Sequence, residues 1–406
     1  MSHLVAPVPS RSPSETSFTA VAFFASAATT FFASSSAPTP LYRHYQELFG
    51  FSPAILTVIF ASYAFPLLAA LLIVGSLSDF VGRRPIVFVA LILNALAMAA
   101  FITADSVGAL MLARAIQGLA TGMATTALGA ALLDHHKTRG ALLGSLTVFV
   151  GLTIGALGSG ALFSFAQAPI WVVYALLLAV SLVEALLLWL MPETVALRTG
   201  AFASLRPRIS IPLQARRKLL QVSPVNIAAW ALGAFYLSLM PSIFGIATGL
   251  TSPFVGSTIV AALTIAATLV AITTRDHAPQ KILSIGAPLL AIGVIATLVG
   301  IHAQFVSLMI VGTFIAGAGM GSAFSGAART VLPLAAPGER AGLLSAFYVE
   351  SYLAYSLPTT AAGFSVPILG LSLVTYIYGT ALVVLAVATM AALREPAPRR
   401  VAMDAP

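Results

Sequence analysis

The 406-residue sequence has no cysteine and only three lysines and three tryptophans. Without cysteine there can be no disulfide framework, thiolate metal site or cysteine nucleophile. Charged residues make up just 8% of the chain, about a third of what a water-facing surface carries, so a set of soluble domains is excluded. Neither a glycine precedes any lysine nor is any loop long enough for a nucleotide-binding domain, which removes the GK[ST] phosphate loop and with it ATP as an energy source. No segment gathers a nucleophile, a base and oxyanion donors, so an enzyme is not expected. What the chain has in quantity is apolar residues, 59% of the total.

Those residues fall into long runs. A bilayer core of roughly 30 Å needs about 20 apolar residues per helix, and twelve such stretches can be read, at 17–38, 53–77, 84–104, 107–133, 140–164, 169–191, 224–249, 253–273, 281–302, 304–328, 341–365 and 368–393. The expected fold is therefore an all-α membrane protein of twelve transmembrane helices. An arginine-rich segment at 192–223 divides them into an N-terminal six-helix bundle (17–191) and a C-terminal one (224–393), flanked by tails at 1–16 and 394–406. Arg11 ahead of the first stretch raises the possibility of a cleaved signal peptide, but removal of 17–38 would leave five helices against six. Basic residues fix the expected orientation. With both termini cytoplasmic, eighteen of the twenty Lys and Arg lie inside, Arg43 lies outside and Arg114 falls within a span. The net charge of +8 is thus sorted by membrane side and does not form a nucleic-acid-binding face. A multi-pass protein of the plasma (inner) membrane is expected, with the lipid bilayer as its main partner and a monomer as its working unit.

The halves echo each other at an offset near 200. RGALLGSL at 139–146 returns as RAGLLSAF at 340–347, GLATG at 118–122 as GAGMG at 317–321, and MPE at 191–193 faintly as REP at 394–396. Each match is weak alone; three in register point to a duplication with both copies facing the same way.

The most specific string is GSLSDFVGRRP at 75–85, between spans two and three. Gly75 permits close helix approach, Asp79 is an acid at a helix end, Gly82 allows a tight turn, Arg83 and Arg84 follow it, and Pro85 opens the next helix. A basic inside loop accounts for the arginines but not for the Gly-Asp-Gly spacing. The string resembles the G-x-L-[AS]-D-x-x-G-R-R signature of the major facilitator superfamily, and the twelve-span layout is similar to that family's plan across the chain. The resemblance implies two six-helix bundles around a central cavity that opens alternately to each side. The corresponding second-half loop, ITTRDHAPQK at 272–281, keeps Arg275, Asp276 and Lys281 without the glycines. In span four, ARAIQGLATG at 113–122 resembles the family's R-x-x-Q-G pattern, with Arg114 and Gln117 on one helix face. An arginine at that depth must face water or a partner: it either lines the cavity and couples to a proton or anionic group, or forms a structural ion pair. The repeat places Thr313 and Ala316 at the equivalent positions. GLTIGALGSG at 151–160 resembles the glycine-rich antiporter motif of this superfamily's drug/proton exporters. Gly151, Gly155 and Gly158 suit helix packing, while Ala156 replaces the family's proline.

Two acids fall inside spans. Glu350 lies near the middle of span eleven, where an acid can serve as a proton or substrate site or as an interhelical hydrogen-bonding group. Tyr348, Tyr352 and Tyr355 form a separate stripe on the same helix. Glu184 sits near one end of span six, where structural pairing is expected. Asp134 ends span four and can pair with Arg83 or Arg84, and Asp79 can meet the start of span eleven, so these groups are expected to latch the bundles on the inner side. Span one is rich in Ser and Thr, as a cavity-lining helix would be. Trp230, Tyr236 and Phe314 are candidate cavity-wall aromatics alongside Tyr348 and Tyr352. His135 and His136 are expected to be solvated, with no metal or cofactor required. The expected function is secondary transport powered by a proton gradient, with efflux of small apolar or amphipathic compounds as the first reading. Proton-coupled import of a small metabolite, anionic or neutral, is the second, and a passive channel or a non-transporting receptor the third.

Overall fold

A computed structural model describes residues 13–207, 209–249, 252–336 and 339–394. Arg11, Arg208, Glu395, Pro396, Arg399 and Arg400 lie outside the described residues, as do the side chains of Lys137, Arg340 and Arg394. Every regular element among the described residues is helical. The helices are α1 (Pro13–Ser36), α2 (Tyr42–Phe49), α3 (Pro53–Ile73), α4 (Ser78–Val81), α5 (Arg83–Ile102), α6 (Val107–His135), α7 (Lys137–Phe165) and α8 (Pro169–Leu187). They continue with α9 (Ala201–Ser204), α10 (Leu213–Ser238), α11 (Met240–Thr248), α12 (Pro253–Thr273), α13 (Pro279–His302), α14 (Val306–Val331), α15 (Arg340–Leu369) and α16 (Leu371–Arg394).

Helices are the open-ended solution for apolar runs of this length, because backbone N–H and C=O groups then satisfy one another without water. Proline opens α3, α8, α12 and α13, where its missing N–H costs nothing. Interior prolines also occur, Pro66 in α3 and Pro224 in α10 among them. Two boundaries differ from expectation. α10 starts at Leu213 rather than 224, because Arg216, Arg217 and Lys218 follow Pro212 as good helix formers and the helix continues through Pro224. It then ends at Ser238, and the rest of the expected seventh span is the separate α11.

Among the described residues, eleven stretches are long and apolar enough to cross a membrane, against twelve expected. The missing one is α15. Its thirty residues suffice in length, but Glu350, three tyrosines and two interior prolines, Pro358 and Pro367, dilute its apolar content.

The chain divides into two compact units, Met1–Leu41 with Ser62–Pro207 and Tyr42–Ala61 with Arg208–Pro406. In the first, α5 packs on α6 and α8, and α1 on α7 and α6. In the second, α13 packs on α14 and α16, and α10 on α15 and α14, the same scheme moved on by about 200 residues. The repeated glycines show why it recurs. A Cβ on Gly118 or Gly122 would meet the Tyr63 and Leu67 carbonyl oxygens of α3 at 2.0 and 2.4 Å. On Gly317 or Gly321 it would meet those of Leu263 and Ala267 on α12 at 2.2 and 2.7 Å. Only glycine lets these backbones approach so closely.

Candidate functional site

The signature loop is a compact ionic knot inside the first unit. Gly82 adopts φ 95°, a conformation side chains resist, and α5 follows at once. Gly82 offers no side chain to cap that helix. The capping is done from a distance: Glu193 accepts from the backbone N–H of Arg83 (Oε1, 2.9 Å) and of Arg84 (Oε2, 2.9 Å), a carboxylate on a positive helix end. A Cβ at Gly82 would sit 2.6 Å from Glu193 Oε2. The buried Arg83 side chain donates to Asp79, to Ser78 Oγ at 2.7 Å and, through Nε, to Asp134 Oδ2 at 3.1 Å. Thr194 Oγ1 also donates to Asp134, at 2.9 Å. Arg84 points elsewhere, donating to the Trp189 carbonyl at 2.7 Å and lying 4.9 Å from that indole's centroid. Gly75 faces α6, where a Cβ would be 3.3 Å from Thr126. Of the two arginines, then, Asp134 meets Arg83, and it does so within one unit. Glu193, read in the sequence only as part of a repeat, is central here. An acid just past a span, opposite a helix without a capping side chain, is the signal that marks it.

Deeper in the same unit, Arg114 is 1% exposed. Its Nη1 donates to Gln117 Oε1 at 2.6 Å and to the Ser35 carbonyl at 2.8 Å, with its guanidinium 5.5 Å from the Tyr63 ring centroid and 5.9 Å from that of Phe101. Gln117 Nε2 donates to the Ser34 carbonyl at 2.8 Å. Arg114 and Gln117 thus act on α1 backbone carbonyls near the end of that helix, where positive charge is favoured. The hydroxyls of α1 depart from expectation: Ser34 and Thr30 are buried and turn into the unit, as Ser36 does in donating to the Leu152 carbonyl at 2.9 Å.

α7 lies along α1 through Gly151 and Gly155, whose added Cβ atoms would come within 2.6 Å of the Thr29 carbonyl oxygen and 2.1 Å of that of Ala33. Gly158 is a correction: nothing lies within 4 Å of its would-be Cβ, because Ser159 and not Gly158 continues the four-residue spacing of Gly151 and Gly155. The neighbouring Ser159 makes the contact instead, donating to the Ala37 carbonyl at 2.6 Å.

In the second unit, half-buried Glu350 on α15 is held by two side chains of α10. Ser223 Oγ donates to its Oε2, and Asn226 Nδ2 to its Oε1 at 2.8 Å. Asn226 also reaches Ser351 Oγ at 3.0 Å. One turn further along α10, Trp230 packs on Tyr352 (centroids 4.8 Å), Phe324 (5.8 Å) and Tyr355 (6.1 Å). Tyr348 adjoins Tyr352 at 6.2 Å, and Phe60 of the same unit stacks on Tyr355 at 4.9 Å. Trp230 Nε1 is buried without a hydrogen-bond partner. Two of the expected wall aromatics stand apart. Tyr236 is buried and bonds Thr313 Oγ1 at 2.8 Å, lining a small crevice with Leu298, Tyr378 and Leu382. Phe314, next to Thr313, is turned outward and 42% exposed. Phe324 and Phe60 take their places in the cluster, and no local pattern marks either.

The histidines differ from each other. His136 caps α7, its Nδ1 accepting from Arg139 N at 3.2 Å, while half-buried His135 bonds the Ala131 carbonyl at 2.8 Å. Among the described residues no group of three or more potential ligands could hold a metal.

No curated protein matches the chain. A family model described as Major Facilitator Superfamily matches residues 19–275, more than half its length and including both the signature loop and the Arg114–Gln117 turn. With its all-helical, multi-span architecture and its glycine-packed repeat, the chain belongs to the Major Facilitator Superfamily of membrane-embedded secondary transporters of small molecules, and is not an enzyme.

Proposed function

We propose that this transporter exports small amphipathic compounds in exchange for protons. The observation that carries the reading is the setting of Glu350, a span-embedded acid held by Ser223 and Asn226 one helical turn from the Trp230–Tyr352–Tyr355 cluster. An acid that can be neutral or charged, beside a broad apolar face with an unpartnered indole N–H, suits exchange of a proton for a compound with an aromatic body and a hydrogen-bond acceptor. Support for export comes from the glycine pattern of α7, with Gly151 and Gly155 seated on α1. Arg114 and Gln117 respond to the proton or substrate through the α1 carbonyls they hold. Asp79, Gly82, Arg83, Arg84 and Asp134, with Gly75 spacing the helices, work as a latch at the cytoplasmic side that is remade in each cycle. Both termini are cytoplasmic and the protein resides in the plasma membrane.

The test uses everted vesicles under an imposed pH gradient and a panel of amphipathic fluorescent dyes. Proton release on dye addition, lost in Glu350→Gln while dye counterflow survives, is the expected result. Uphill transport unchanged in that variant would remove Glu350 from the mechanism, and alkalinisation of intact cells on dye addition would reverse the direction to import.

A further inference from the structure

Glu184 has no part in that scheme. It lies on α8 and is 6% exposed. Its Oε1 accepts from Ser26 Oγ at 3.0 Å and from Thr30 Oγ1 at 2.9 Å, both on α1. Its Oε2 is buried with no hydrogen-bond partner. An ionised carboxylate is costly to bury with one oxygen bare, and the neutral acid costs far less. No ion pair among the described residues includes Glu184. The charged groups on the helices packed against α8 are otherwise occupied or remote: Arg83 and Arg84 open α5 and are held as described, and Arg139 is exposed near the start of α7. The described side chains of α1 carry no charge.

Glu184 is also not isolated. Ser26, Thr30 and Ser34 follow one another at four-residue spacing and so share a face of α1. Ser26 is exposed, while Thr30 and Ser34 are buried. Ser34 Oγ accepts from Asn94 Nδ2 at 3.0 Å, and Asn94 also donates to Ser181 Oγ at 2.9 Å, one turn before Glu184 on α8. The Ser34 carbonyl is the acceptor for Gln117, and Gln117 for Arg114. A column of polar groups therefore runs along α1 from Glu184 at one end to Arg114 at the other, through an otherwise apolar interior built from Phe24, Ala27, Phe31, Ala90 and Leu91.

We infer that Glu184 is a second proton-binding site, with Ser26 as the hydroxyl through which its proton exchanges and the α1 column conveying its charge state to Arg114. On uptake, one O–H bond forms at Oε2 with a proton taken from water; on release, that bond breaks and the proton returns to water. No other bond changes. The inference rests on the proton-coupled reading and extends it to the first unit.

Infrared difference titration of the purified full-length chain tests it without any substrate. Glu184→Gln should abolish one titrating carboxylic C=O band that Glu350→Gln leaves in place. Ser26→Ala should slow hydrogen–deuterium exchange at the Glu184 band several-fold. Should Glu184→Gln fail to fold, Thr30→Val replaces it and should shift the midpoint of that band alone. Identical titrating bands in wild type and Glu184→Gln, or a Glu184 band that stays protonated at every pH where the chain is folded, would overturn the inference and show a purely structural hydrogen-bonding acid. A titrating Glu184 band in a protein that shows no pH-gradient-driven dye transport would support the site and sink the transport reading instead.

Discussion

α6 and α14 are copies of one element 199 residues apart, and they keep the same packing while holding different chemistry. Gly118 and Gly122 seat α6 on α3 just as Gly317 and Gly321 seat α14 on α12. One turn before those glycines, α6 carries Arg114 and Gln117, clamped on the carbonyls of α1. α14 carries Thr313 and Ala316 there, and Thr313 serves only a tyrosine hydroxyl. The ends of the two helices differ likewise. Asp134 reaches the signature loop through Arg83, whereas Arg329 reaches the matching loop only through the backbone carbonyls of Thr274 (3.4 Å) and His277 (2.8 Å). Arg275 there pairs merely with its exposed neighbour Asp276. Close packing is thus needed twice and the ionic machinery once, which teaches that a six-helix unit can be built on glycine packing without the Arg114 clamp or the ion pairs of the signature loop.

Substitutions that treat the halves as equals sharpen this contrast. The largest effect is expected from Gly118→Leu and from Gly317→Leu, since even a Cβ would overlap a carbonyl oxygen in each. Overpacking of this kind costs about 1–3 kcal/mol or more, so both variants should show greatly reduced folded yield by size-exclusion chromatography. Survival of one but not the other would break the symmetry. Next comes Arg114→Ala, which leaves Gln117 Oε1 and the Ser35 carbonyl short of a donor at about 1–3 kcal/mol each. Thr313→Val removes one neutral hydrogen bond worth about 1 kcal/mol. Thermal unfolding should rank them in that order, with transport lost only in the first. Arg83→Gln should cut transport at least about tenfold, the scale of 1.4 kcal/mol in a conformational equilibrium, while Arg329→Gln should leave the rate within about twofold. Equal losses would make the second loop a working latch. Smallest of all is Gly158→Ala, expected to be neutral in both stability and transport, against a clear loss for Gly155→Ala.

Much of this contrast could be read from the chain itself. Long apolar runs and the 200-residue echo mark the helices and their pairing, because helix formation and close approach depend on local composition. Arg114–Gln117 and Asp79–Arg83 are legible because the members of each pair lie within a turn of one another, whereas the Ser34, Ser35, Asp134 and Glu193 they also reach lie far off in sequence. Glu193, Phe324 and the inward turn of Thr30 and Ser34 were not, since each acquires its role from a helix remote in sequence. Phe314 and Gly158 mislead for the matching reason: residue type and spacing fit the pattern, but α14 turns Phe314 outward and the contacting face of α7 passes through Ser159 instead of Gly158. The start of α10 at Leu213 escapes a hydropathy reading because its first turns are basic rather than apolar.

The low apolar content of α15 has a consequence for how the protein is made. A segment holding Glu350, three tyrosines and two prolines partitions poorly into lipid as a lone helix, so its entry into the bilayer depends on company. α10 supplies Ser223 and Asn226 for its acid, and the strongly apolar α16 follows after a single residue, Gly370. α15 is therefore expected to enter the bilayer together with α16, as a hairpin, and a chain stopped at Leu369 is expected to insert this helix poorly.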